Sequence, residues 1–174
     1  TLDDSAGEVF DKVARHLGLP YPGGPQISKA SAKTSSSSFK FPRPMLNTNC
    51  YDFSFSGLKT HVTQSVKKNV LTEELISNIA FDFENAILDV LITKTLRAAD
   101  NLNIENIVIS GGVSANTRLR ERFEKEKGNK KIFFPDIAFS TDNGAMIAFM
   151  GWLKSSMPNE KSLEIKPSPS SSLI

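Results

Sequence analysis

The stretch from Glu73 to Asn101 constrains this chain most. Ile76, Ile79, Phe83, Ile87, Val90 and Leu91 recur at helical spacing along it, tracing a stripe that has to face a core. Thr72 stands just ahead as a cap. Residues 104–109, rich in β-branched side chains, follow and read as a short, buried parallel strand. Gly111-Gly112 breaks that strand, residues 115–127 are helical, residues 131–134 form a second strand, and residues 141–154 form a last helix. Strand, glycine turn, helix, strand and helix make an α/β fold with a mainly parallel sheet flanked by helices.

Upstream, residues 3–17 read as a helix capped by Asp3 or Asp4, with Ala6, Val9, Phe10, Val13, Ala14 and Leu17 on one face and Gly18 as its stop. Residues 19–25 make a rigid, turn-rich loop, and residues 28–38 a polar connection. Phe39 to Phe41 reads as a short strand. Tyr51, Phe53 and Phe55 alternate with Asp52 and Ser54 as in a half-buried strand. Residues 57–70 form a helix with Leu58, Val62 and Val66 on one side. The expected organisation is one domain over residues 1–154 and a Ser/Pro-rich tail over 155–174.

With 39% hydrophobic residues the composition is globular. A formal charge of +2 is too small to argue for nucleic acid by itself. The lone Cys50 excludes an internal disulfide framework and points to a reducing, cytosol-like compartment. No apolar run approaches the roughly 20 residues that cross a bilayer, and no signal-peptide pattern opens the chain. It begins at Thr1 without a Met, which reads as a fragment.

Ligands of such folds gather where strand ends meet helix starts. Two segments fall there. Val108 to Asn116 runs from strand through Gly111-Gly112 into a helix, and Asn116 can donate and accept hydrogen bonds to a ribose or base, or simply cap. Phe139 to Ala148 contains Ser140-Thr141-Asp142-Asn143, where Asp142 is a hard oxygen ligand or another cap. The acidic run Asp3 to Asp11 is a metal or hydroxyl site, or a solvated face. Arg118, Arg120, Arg122, Lys125, Lys127, Lys130 and Lys131 alternate with Glu121, Glu124 and Glu126, as on a solvated helix face. Arg118, Arg122 and Lys59 are the candidates for contact with a phosphate backbone. His16 suits a helix end and His61 a surface position.

Taken singly, each of these has an ordinary structural explanation, but their order is specific. Asp4-Ser5-Ala6-Gly7-Glu8-Val9-Phe10-Asp11-Lys12, Leu19-Pro20-Tyr21-Pro22-Gly23-Gly24-Pro25, Phe41-Pro42-Arg43-Pro44, Phe53-Ser54-Phe55-Ser56-Gly57-Leu58-Lys59-Thr60, Gly111-Gly112-Val113-Ser114-Ala115-Asn116 and Thr141-Asp142-Asn143-Gly144-Ala145-Met146-Ile147-Ala148 closely resemble, in sequence and succession, the carboxy-terminal portion of the TsaD family. The resemblance implies a lobe of the actin, sugar-kinase and Hsp70 type (the ASKHA fold). It implies transfer of a threonylcarbamoyl group from threonylcarbamoyl-AMP to N6 of the adenosine 3′ to the tRNA anticodon. Carried over by position, Asp11, Gly24 and Asn116 are contacts to the adenylate, and Asp142 is a ligand to one divalent metal: Fe2+ by family, with Zn2+ and Mg2+ as alternatives.

The implied partners are tRNA, the missing amino-terminal lobe and, in bacteria, TsaB- and TsaE-like proteins; the implied location is the cytoplasm, or the mitochondrial matrix in a eukaryote. The family's His-x-x-x-His metal motif has no counterpart in His16 and His61, so the remaining metal ligands and a phosphate-binding loop are expected outside this chain. Ser140 stands where bacterial members often have Cys. The alternative is a non-catalytic scaffold subunit related to TsaD. A metallopeptidase is disfavoured, since the chain has no His-Glu-x-x-His.

Overall fold

The computed structural model describes residues 3–35 and 39–155. The Thr/Ser run at 34–38 therefore falls partly outside the described residues, as does the tail from residue 156 onward. The chain divides into two compact units, Thr1–Thr141 and Asp142–Ile174.

The first unit contains α1 (Ala6–His16), α2 (Gly23–Ser31), α3 (Ser56–Lys67), α4 (Glu73–Asn101), β1 (Asn106–Val108), α5 (Thr117–Glu126) and β2 (Lys131–Phe133). The second contains α6 (Gly144–Lys154). The described residues are thus helix-rich α/β, with a single two-stranded parallel sheet.

α4 keeps the bounds its apolar stripe predicts, and the Thr72 hydroxyl accepts from Leu75 N at its start. The side chains of Ile79, Ala80, Phe83, Glu84, Ala86, Ile87, Leu88, Val90 and Ile92 have no exposed surface, so this helix is enclosed on most sides rather than lying on a core. Toward α1 and α2 it packs Ile79, Ala80, Phe83 and Ile87 against Val9, Phe10, Val13 and Ile27; the rings of Phe10 and Phe83 meet edge-on with centroids 5.2 Å apart. Further along, Leu88 and Ile92 join Leu119 and Phe123 of α5 in a second cluster, closed by Ile109, Ile132 and Phe134 around the sheet.

Several sequence expectations are corrected. α1 starts at Ala6 with Ser5 as its cap, its hydroxyl accepting from Glu8 N. Asp3 and Asp4 are engaged elsewhere: Asp3 accepts from the N–H groups of Asp4 and Phe55, and Asp4 pairs with Lys12 and Lys59. The turn-rich loop ends early, because Gly23-Gly24-Pro25 begins α2. Proline fits there since the first helical N–H groups have no partner within the helix. Ile27, Ala30 and Ser31 of that helix are buried, in a region expected to be a polar connection.

The strands expected at 39–41 and 51–55 do not form. Among the described residues no neighbouring strand offers them a ladder; side chains of α4 bind residues 45–51 instead. Lys94 Nζ donates to Met45 O at 2.9 Å, Arg97 donates to Leu46 O at 2.9 Å, and Asn101 donates to the Tyr51 hydroxyl at 3.0 Å. The strand expected at 104–109 shortens to β1, which is half-open rather than buried. Its register with β2 is Asn106↔Lys131, Ile107↔Ile132 and Val108↔Phe133; Val108 and Phe133 remain 72% and 50% exposed. In the second unit, Asn143 caps α6 by accepting from Met146 N, and Ile147, Phe149 and Trp152 are exposed.

Gly23 and Gly24 stand side by side but differ physically. A Cβ on Gly23 would lie 2.6 Å from Asp11 Cα and 2.7 Å from Ala14 Cβ, whereas one on Gly24 would meet nothing within 4 Å. Gly23→Ala should therefore destabilise by about 1–3 kcal/mol through overpacking of α1 against α2. Gly24→Ala should be neutral or stabilising by up to about 1 kcal/mol. Urea unfolding of the two variants checks this; equal midpoints would contradict the packing described.

Candidate functional site

Asp11, Gly24 and Asn116 are scattered in sequence but all lie against α2. Asp11 reaches across from α1, and its Oδ1 accepts from Gly23 N at 2.7 Å, the first N–H of α2. Gly24 is the next residue. Ser28 lies one helical turn further on, and Asn116 Nδ2 donates to its hydroxyl at 3.0 Å. Asp11 and Gly23 also line a cavity of about 220 Å³ with Lys12, Arg15 and Tyr21.

Asn116 is the N-cap of α5. Its Oδ1 accepts from Leu119 N at 2.9 Å, and its Nδ2 donates to Glu84 Oε1 at 2.8 Å as well as to Ser28. Both amide hydrogens are thus used inside the protein, and what the side chain retains for a ligand is the second lone pair of Oδ1. It can accept from a ribose or base but does not donate, which narrows the expectation from sequence.

The Gly111-Gly112 turn walls a second cavity of about 380 Å³, together with Ser5, Gly7, Leu91 and Ser114. Gly111 has φ +91°, where any side chain is strained. Ser114 Oγ is buried there without a partner, and Arg120 braces the turn by donating to Ser114 O at 2.7 Å and Pro135 O at 2.8 Å.

Glu84 and Ser28 are the residues that sequence reasoning missed. The available signal was a carboxylate, between Phe83 and Ala86, inside an apolar helix. Glu84 is fully buried. Oε1 accepts from Ser28 Oγ at 2.7 Å and from Asn116, while Oε2 accepts from Arg118 at 2.7 Å. Arg118 also donates to Ser31 Oγ and Asn85 Oδ1, with its guanidinium 4.9 Å from the centroid of the Phe81 ring. Arg122 pairs with Asp89 at 2.7 Å and Glu126 at 2.8 Å; Asp89 also holds Arg43 at 2.9 Å. Lys59 is bound to Asp4. All three candidate phosphate contacts are therefore engaged with carboxylates.

Asp142 lies in the second unit, exposed, beside the cap of α6. Among the described residues no three His, Cys, Asp or Glu side chains converge as a metal cage, so the residues present do not by themselves fit the metal that the resemblance implies. Among them, too, no helix is long and apolar enough to cross a membrane.

The family model for TsaD, tRNA N6-adenosine threonylcarbamoyltransferase, matches residues 1–149. This chain belongs to the TsaD family. Proteins named tRNA N6-adenosine threonylcarbamoyltransferase from Thermosipho africanus, Persephonella marina and Thiobacillus denitrificans are 47%, 50% and 51% identical to it, over 96%, 87% and 87% of this chain. The matches cover 52%, 44% and 44% of those proteins, so the chain spans about half the length of the curated relatives it matches.

The bonded carboxylates of Asp3 and Glu84 can each be tested through stability. Asp3 is held down at about 2 by hydrogen bonds from the Ser54 hydroxyl and the Asp4 N–H, and Asp4 is lowered by Lys59 and then Lys12. A carboxylate whose folded value is depressed stabilises above its unfolded value of 3.8 and loses that contribution as pH falls toward the folded value. Unfolding midpoints should drop between about pH 4 and pH 2, less steeply in Asp3→Asn. An unchanged slope in that variant would refute the assignment. Separately, Arg118→Met strands the buried Glu84 carboxylate and should cost about 3 kcal/mol or somewhat less, since Arg118 is partly exposed. Chemical denaturation measures it.

Proposed function

We propose that this chain is the adenylate-binding part of a tRNA N6-adenosine threonylcarbamoyltransferase, built as a lobe of the actin, sugar-kinase and Hsp70 type. The observation that carries this reading is that Asp11 and Asn116 each hydrogen-bond to α2, the helix that begins with Gly23-Gly24, in a chain of this family. In this reading the second carboxylate oxygen of Asp11 accepts from a hydroxyl of the acyl-adenylate. Gly24, whose missing side chain no internal neighbour explains, lets the ligand approach the backbone. Asn116 accepts through Oδ1.

The reaction joins the N6 nitrogen of the tRNA adenosine to the threonylcarbamoyl carbon, with loss of a proton from N6, while the bond from that carbon to the phosphate oxygen breaks and AMP leaves. Asp142 is proposed as one ligand of a divalent metal whose other ligands lie outside the described residues. Lys59 is the candidate for tRNA contact at α3. Arg118 and Arg122 would serve as such only while still paired to α4, as partly exposed cations.

The exposed Val108 and Phe133 side chains on the sheet support contact with further protein, either the amino-terminal lobe or, in bacteria, TsaB- and TsaE-like partners. The same contact supports the second reading, a scaffold subunit without activity of its own.

The test is transfer of labelled threonylcarbamoyl from its adenylate to unmodified tRNA, by this chain alone and with the amino-terminal half of a relative added. Transfer only on addition is expected. Transfer by the chain alone would overturn the incomplete-site reading, and none in either case, with association demonstrated, would favour the scaffold.

A further inference from the structure

We infer that Glu84 is a positioning residue: it locks the amide of Asn116 so that only an acceptor is offered to the ligand, and the site thereby selects an adenylate group bearing an O–H or N–H. The inference rests on the proposed role of Asn116 in adenylate binding.

An asparagine amide can in principle be turned over, exchanging oxygen and nitrogen. Here both ends resist it. Oδ1 faces the donor Leu119 N, and Nδ2 faces the carboxylate Oε1 of Glu84. A flipped amide would put oxygen against a buried carboxylate and N–H against N–H, losing two hydrogen bonds at once. The carboxylate is itself immobile. It is fully buried, with Ser28 on the same oxygen and Arg118 on the other. Ser28 completes a triangle, donating to Glu84 and accepting from Asn116. A neutral amide at position 84 would keep the shape but bring a donor of its own, so the orientation of Asn116 would no longer be imposed.

The structural explanation is that Glu84 only fastens α5 to α4. Asp89 separates the two, because it also joins α4 to α5, through Arg122, without touching Asn116. The experiment uses this chain supplied with the amino-terminal half of a relative. Glu84→Gln should raise the KM for threonylcarbamoyl-AMP roughly tenfold. Glu84→Asp should recover part of the loss. Glu84→Gln should add nothing in an Asn116→Ala background. Asp89→Asn should lower stability without moving the KM for threonylcarbamoyl-AMP. In the isolated chain, the side-chain amide protons of Asn116, followed by NMR, should exchange slowly in the parent and quickly in Glu84→Gln.

An unchanged adenylate KM in Glu84→Gln, when Asn116→Ala raises it, overturns the inference and leaves the proposed site standing. An equal effect of Asp89→Asn on that KM, or additivity with Asn116→Ala, also overturns it. If Asn116→Ala itself leaves the adenylate KM unchanged, the assigned role of Asn116 fails and the inference with it; slow amide exchange that survives in Glu84→Gln removes the lock independently of any ligand.

Discussion

The fold depends on a helix that is covered on most of its faces. Polar side chains on its enclosed faces cannot reach water, so most are met by a partner in the protein, with Asp82 Oδ2 and Arg97 Nη2 as buried exceptions. α4 carries Glu84 and Lys94, both without exposed surface. Glu84 collects Ser28, Asn116 and Arg118; Lys94 collects Met45 O, at 2.9 Å, and lies 5.8 Å from the centroid of the Phe53 ring. Each set of partners comes from an element that has to be brought to α4: α2 and α5 in the first case, the irregular segment after Phe41 in the second. The charged groups thus decide which apolar surfaces meet, while burial of those surfaces supplies most of the stabilisation.

How far the chain could be read in advance follows from the same physics. α4 was legible to the residue because its spacing and cap agree. The turn between β1 and α5 was legible to within about two residues because glycine and asparagine have local reasons to be there: Gly111 has a positive φ, and Asn116 caps. The region from Gly23 to Phe55 was not. From Gly23 the chain forms a helix whose buried residues are Gly23, Ile27, Ala30 and Ser31, too short an apolar signal to register. Tyr51, Phe53 and Phe55 alternate like a strand, yet only Phe55 is buried, since side chains of α4 rather than a strand satisfy the segment around them. Long-range hydrogen bonding of this kind leaves no period in the sequence.

The site divides similarly. The resemblance named Asp11, Gly24 and Asn116, but what holds two of them in place was invisible. Asp11 is tied to Gly23, whose lack of a side chain is an internal packing requirement, and Asn116 is tied to Glu84. Asp142 belongs to the second unit.

Glu84 pairs with Arg118 and Asp89 with Arg122, so the two ion pairs run in the same direction along α4 and α5. Sliding α5 by one turn, about 5.4 Å, would set one arginine against the wrong acid, and moving Arg118 to Asp89 would leave the buried Glu84 with no counter-charge. Between those positions neither pair can close. The seating of α5 is therefore a choice between discrete notches rather than a continuous adjustment, and the helix carrying Asn116 is either docked in register or not docked at all.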